Sequence, residues 1–272
     1  MLESEVLDII SSEIRNGKKA AMAVITHVSG SSPRKEGSVM AVMEGGKTAG
    51  TVGGGALENE VTRKALECIK AGENVSLSLE LNDEGDLHMK CGGRAQVFIK
   101  IFIPTKKLII AGGGHVGQKV HEFGKAMGFH TVVLDDREEY CSRELFPGAD
   151  ELIPGDIYEN MKAYNIGETC HIVIVTRGHS YDEQALEAGI GRGAAYIGMI
   201  GSKAKTQAVY ENLLQKGVSK EELANVYAPI GIDMGGGTPH EIALGILAEI
   251  TVVTNGARPV HMRDKKGRIV LE

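Results

Sequence analysis

Apolar residues near the amino terminus recur at helical spacing. Leu2, Val6, Ile9, Ile10 and Ile14 share one face, and Gly17 closes the helix they predict. The period then changes. Residues 20–28 (AAMAVITHV) and 38–44 (SVMAVME) read as strands, separated by the turn-rich loop GSSPRKEG at 30–37. A hairpin through Gly45-Gly46 leads to a short strand near 48–52. The triple glycine 53–55 opens a helix over 56–71, on which Val61, Ala65 and Cys68 share a face. VSLSLEL (75–81) alternates as a half-buried strand does, and AQVFIKIFI (95–103) is a further strand before Pro104-Thr105 punctuates the chain. Residues 1–104 read as a small α+β domain.

From residue 105 to 272 the two periods alternate. Strands are expected near 107–111, 130–134, 151–153, 171–176, 195–200 and 225–230. Helices are expected near 115–127, 137–145, 157–164, 181–190, 203–216 and 239–253. Such alternation predicts a Rossmann-type α/β domain, a parallel sheet with helices on both faces. The tail after Gly256 reads as a short hairpin turning at Lys265-Lys266-Gly267, and no internal repeat is evident.

The first strand-to-helix junction of this second domain carries candidate chemistry. KLIIAGGGHVGQKV places Gly112, Gly114 and Gly117 in a G-x-G-x-x-G array between an apolar strand and a helix. Glycines there permit a tight turn and let a phosphate approach the amides of the helix N-terminus. Asp135 and Asp136 follow at the end of the next strand, and Asp135 is the candidate for a ribose diol. Later strand ends bring Arg177 and His179 (TRGH), Ser202 and Lys203 (MIGSKAK), and the segment GIDMGGGTPHE. In a parallel sheet these loops converge on one crevice. Ser180 and Glu183 stand at capping-box spacing, as do Thr238 and Glu241, and Gly235–Gly237 would leave a second helix N-terminus open to an anion.

In the first domain, Arg34 is a candidate anion contact, and Glu58 complements the dipole of the helix after the triple glycine. Cys91, between a lysine and two glycines in a polar loop, is the candidate reactive thiolate. Cys68 and Cys170 read as core residues, and Cys141 is open.

Composition removes several classes. The four cysteines form no C-x-x-C pair, which speaks against structural zinc or an iron–sulfur cluster. A net charge of −6 disfavours nucleic acid. No run is long enough to span a membrane, and the acidic amphipathic start is no signal peptide, so a cytoplasmic protein is expected.

GSSPR, GGG-A-L-E, CGG, GGGHVG, DDR, TRGH, IGSKAK and PIGIDMGGGTPHEIA occur in an order that resembles the xanthine dehydrogenase accessory family, XdhC/CoxI type. The resemblance implies a two-domain chaperone that binds molybdenum cofactor (molybdopterin), assists its sulfuration and delivers it to a xanthine-dehydrogenase-type molybdenum hydroxylase. A cysteine desulfurase would be the sulfur-donating partner. The family's CGG cysteine falls on Cys91, as a contact to molybdenum or sulfur, and its GSSPR arginine on Arg34. No residue is assigned a catalytic role. A homodimer is expected, because short strands leave edges to cover. Two other readings stay open: an NAD-dependent oxidoreductase, lacking an evident proton-transfer pair, and a nucleotide-sensing module.

Overall fold

A computed structural model describes residues 2–30, 34–81 and 93–265. The chain divides into two compact units, Met1–Thr105 and Lys106–Glu272.

The first unit is a five-stranded antiparallel sheet in the order β3-β2-β1-β5-β4, with β1 Ala20–Ser29, β2 Val39–Met43, β3 Thr48–Gly50, β4 Val75–Leu81 and β5 Gly93–Phe102. Alternation along β1 sends Ala21, Ala23 and Ile25 to one face, where they pack with Leu57, Val61, Ala65 and Ile69 of α2 (Gly55–Ala71). The opposite face, with Ala20 and Ala41, packs with Val6 and Ile10 of α1 (Glu3–Arg15). Period two in the strand and period 3.6 in the helices thus build a core on each side.

The second unit is a five-stranded parallel sheet in the order β10-β9-β6-β7-β8: β6 Lys107–Ala111, β7 His130–Asp135, β8 Glu151–Pro154, β9 Cys170–Ile174 and β10 Tyr196–Met199. Ile109, Ile172 and Ile174 face the core that includes Ile157 and Met161 of α4 (Ile157–Ala163), Leu186 of α5 (His179–Gly189) and Val209 of α6 (Lys203–Gln215). Leu108, Ile110 and Val173 face the other way, toward Val120 of α3 (His115–Ala126) and Ile246 and Ile250 of α8 (Pro239–Thr254). Cys141 and Cys170 are buried, and Cys68 is partly so. This is the doubly wound α/β architecture expected from the alternation.

Five details differ from expectation. Residues 225–230 form no strand; a single bridge joins Tyr227 to Gly198, and Pro229 has no N–H to extend a ladder. The helix expected over 137–145 is one 3-10 turn, Glu138–Tyr140. The segment after it is anchored in the core by Cys141 and Phe146, with Leu145 packed against them. Helix α5 begins at His179 behind the N-cap Gly178, so Ser180 and Glu183 make no capping box there. The tail contains a helical turn, α9, at Met262–Lys265 where a hairpin arm was expected, and the rest of that hairpin lies outside the described residues. An unexpected short helix, α7 (Lys220–Ala224), is capped by Ser219 and Glu222. Among the described residues, no helix is long and apolar enough to cross a membrane.

Candidate cofactor site

The glycine turn between β6 and α3 is shaped by four residues with different duties. Gly112 has φ +119, and a Cβ there would stand 2.4 Å from the Val175 carbonyl oxygen at the end of β9. A Cβ on Gly113 would stand 1.9 Å from the Tyr140 carbonyl oxygen, and one on Gly117 would stand 2.0 Å from the Gly112 carbonyl oxygen. These three glycines are demanded by the protein itself. Gly114 is not. Its φ of −70 suits any residue, and a Cβ there would meet nothing within 4 Å. As the N-cap of α3 it supplies no side-chain acceptor, so the leading amides of the helix are open to an outside acceptor.

Asp135, at the end of β7, is 2% exposed. Its carboxylate accepts from Gly113 N (2.8 Å), Arg137 N (3.0 Å), Arg137 Nε (2.9 Å) and Arg137 Nη2 (3.1 Å). Burial alone would raise its pKa, but the guanidinium and the two backbone N–H groups together hold it below the ordinary value. Four donors take up the acceptor capacity of a carboxylate. Asp135 therefore fastens β7 to the glycine turn, and its oxygens are engaged within the protein and not turned toward a ribose or pterin. Arg137 lies with its Cζ 3.6 Å from the centroid of the Tyr140 ring.

On the other side of the turn, Asp182 of α5 is 0% exposed. It accepts from Thr176 N (3.1 Å) and Thr176 Oγ1 (2.6 Å), and it is paired with Lys205 of α6. Burial pushes its pKa up. The Thr176 Cα would be 2.9 Å from a Cβ on Gly112, so this buried pair braces the strand end that the turn rests on. The exposed Lys203 lies at the start of α6, behind the N-cap Ser202, whose Oγ accepts from Lys205 N at 3.2 Å.

Arg177, just past β9, donates from Nη2 to Asp136 Oδ2 (2.7 Å) and to the Tyr181 hydroxyl (2.9 Å). His179 is exposed at the first position of α5. The start of α8 is not an open anion site. Glu241 Oε2 accepts from Gly237 N (3.1 Å), Thr238 N (2.9 Å) and Thr238 Oγ1 (2.7 Å), so a carboxylate of the chain already occupies it.

In the first unit, Glu58 accepts from Gly54 N (2.9 Å) and from the Thr51 hydroxyl, which fits its expected role at the start of α2. Arg34 is exposed. Cys91 lies outside the described residues. Among the described residues, no group of three or more His, Cys, Asp or Glu side chains could hold a metal ion.

The XdhC Rossmann-domain family matches residues 108–250, more than half of the chain, and the XdhC and CoxI family matches residues 13–80. The chain belongs to the XdhC/CoxI family. It is 32% identical over 240 residues to the Escherichia coli K12 protein YqeB, covering 87% of this chain and 44% of YqeB. It is 27% identical over 154 residues to a probable xanthine dehydrogenase component of Bacillus subtilis 168, covering 57% of this chain and 44% of that protein. The chain thus spans less than half the length of these two relatives. A third, the molybdenum cofactor insertion chaperone PaoD of E. coli K12, is 21% identical, with 88% of this chain and 85% of PaoD covered. A crystal structure of a xanthine dehydrogenase from Bacillus halodurans shares the fold over 97% of this chain and 99% of its own, with TM-score 0.52 and 23% identity.

In this XdhC/CoxI chain, the strand end beside the glycine turn is braced by two residues that the motifs do not mark, Lys205 and Asp182. Lys205 precedes Val209 by four positions and Leu213 by eight, on the buried stripe of α6, while Lys203 does not. Asp182 likewise shares a stripe with Ala185, Leu186 and Gly189 of α5. A charge on an apolar stripe was the available signal.

Proposed function

We propose that this chain is a carrier of molybdenum cofactor, acting in the maturation of a xanthine-dehydrogenase-type molybdenum hydroxylase. The observation that carries the reading is the Gly114 opening, which leaves the α3 amides able to take the phosphate that every form of molybdopterin ends in or bridges through. Family membership and the role named for the relative PaoD support the choice of cargo. In this reading, Gly112, Gly114 and Gly117 form the cradle, with Arg177, His179 and Lys203 along the crevice. Arg34 is a second anion contact, and the Cys91 thiolate meets the molybdenum or the sulfur being handed over. Asp135 acts by holding Gly113 in place. A cysteine desulfurase as sulfur donor, a homodimeric state, a cytoplasmic setting and the division of labour between units 1–104 and 105–272 belong to the same proposal. The full engagement of Asp135 weighs against NAD as the resident ligand, because a ribose diol would need its oxygens.

The test is retention of cargo. The full chain, incubated with molybdopterin released from a molybdoenzyme and then desalted, is expected to keep a pterin that fluoresces after oxidation. It should also restore activity to an apo-hydroxylase, and Cys91→Ala should transfer none while folding normally. A chain that retains no pterin sinks the reading, and unchanged transfer by Cys91→Ala removes the cysteine from it.

A further inference from the structure

Strand order gives Arg177 a role beyond lining the crevice. Strand β6 lies between β9 and β7, so the loops that leave β9 and β7 flank the glycine turn on its two sides. Gly112 abuts Val175 and Thr176 on one side, and Gly113 is bonded to Asp135 and packed under Tyr140 on the other. Arg177 and Asp136 are the residues that join these flanking loops directly, at 2.7 Å. Two strand spacings amount to about 10 Å, and this bridge spans them from the loop after β9 to the loop after β7, either side of β6. The pair is not a core element: Arg177 is 45% exposed in its side chain and Asp136 23%. Arg177 is steadied by Tyr181, through the hydroxyl at 2.9 Å and the ring face at 4.9 Å from Cζ. Two further cations are committed deeper in the fold, Arg137 to buried Asp135 and Lys205 to buried Asp182.

We infer that Asp136 is a built-in competitor for the ligand's phosphate: it holds Arg177 across the mouth of the crevice, and an incoming phosphate binds by taking that guanidinium over. The chemistry is an exchange of one oxyanion for another on a fork of N–H donors that suits both. No covalent step is involved. The exchange keeps Arg177 from being left unpaired in the empty crevice, and it sets the affinity for any phosphate- or diphosphate-bearing cargo below what the donors alone would give. It rests on the phosphate-cradle reading of the glycine turn and adds to it a device that favours release.

The sign of one substitution separates this from a structural ion pair. With inorganic pyrophosphate as the probe and the full chain in a calorimeter, Asp136→Asn is expected to bind about fivefold tighter than the wild type, the ratio that loss of one partly exposed competitor corresponds to. Arg177→Met is expected to bind about tenfold weaker, with Arg177→Lys standing in if the methionine variant does not fold. In the double variant, Asp136→Asn should bring no gain, because Asp136 acts only through Arg177. Unchanged or weaker binding by Asp136→Asn overturns the inference, and so does a gain that persists without Arg177, which would be general removal of negative charge. Normal pterin retention with no tightening in Asp136→Asn removes the competitor alone. Failure of the wild type to bind either pyrophosphate or pterin removes the cradle reading together with it.

Discussion

At the scale of single residues, the glycines of one motif separate into two kinds. Gly112 needs a positive φ and has a carbonyl oxygen where a Cβ would go. Gly112→Ala should therefore lower stability by at least about 2 kcal/mol, the sum of a left-handed penalty and an overpacked contact. Gly114→Ala meets neither obstacle and should melt within a degree or two of the wild type, about what a surface change of at most half a kcal/mol gives. It should nevertheless lose most pyrophosphate affinity, because the methyl group occupies the space a phosphate needs. Thermal melting and calorimetry on the two variants check the contrast, and equal effects on both properties would refute it. The motif was legible in the sequence, but this division was not. Which glycine faces protein and which faces open space depends on Val175 and Tyr140, which are distant in the chain from the glycines they meet.

At the scale of elements, Asp135 shows that a position can be legible in a sequence while its partners are not. The period of the strand puts an acid at the end of β7, and the sequence alone suggests a ligand contact. What it conceals is that Arg137, two positions on, folds back with three donors. The same limit explains the segment after β7, where a helix was expected. There the pinned Asp135–Arg137 corner and the buried Cys141 and Phe146 leave only a 3-10 turn. In contrast, elements with a clear period and a local stop signal, such as α1, α3 and α8, were legible nearly to the residue. Because the folded pKa of Asp135 is lowered, its stabilisation is present above the ordinary carboxylate pKa and is lost as pH falls through the folded value. Asp135→Asn should thus be less stable than the wild type at neutral pH, and below about pH 4 its melting temperature should fall less steeply on acidification. Parallel slopes for the two proteins would show that Asp135 does not carry this proton linkage.

At the scale of the molecule, each unit contains its own hydrophobic core on both faces of its own sheet. A fragment of residues 106–272 should fold cooperatively by itself and bind pyrophosphate with the affinity of the full chain, since the glycine turn, Arg177 and both buried carboxylates lie within it. A fragment that folds but binds more than tenfold weaker, about 1.4 kcal/mol, would mean that the first unit contributes to the phosphate site. In the sequence, the change of pattern at Pro104-Thr105 stands beside the junction of the two units. The strand order has no such mark, because periodicity carries no information about which strands become neighbours.

The unequal glycines also say how this chain would age if its task were withdrawn. A duplicate copy freed from its cargo would still need Gly112, Gly113 and Gly117 in order to fold, so purifying selection would hold them. Gly114, with nothing but open space at its Cβ position, would be the first of the four to drift. A descendant that keeps three glycines of this turn and replaces the one at position 114 is therefore expected to have kept the architecture and given up the phosphate.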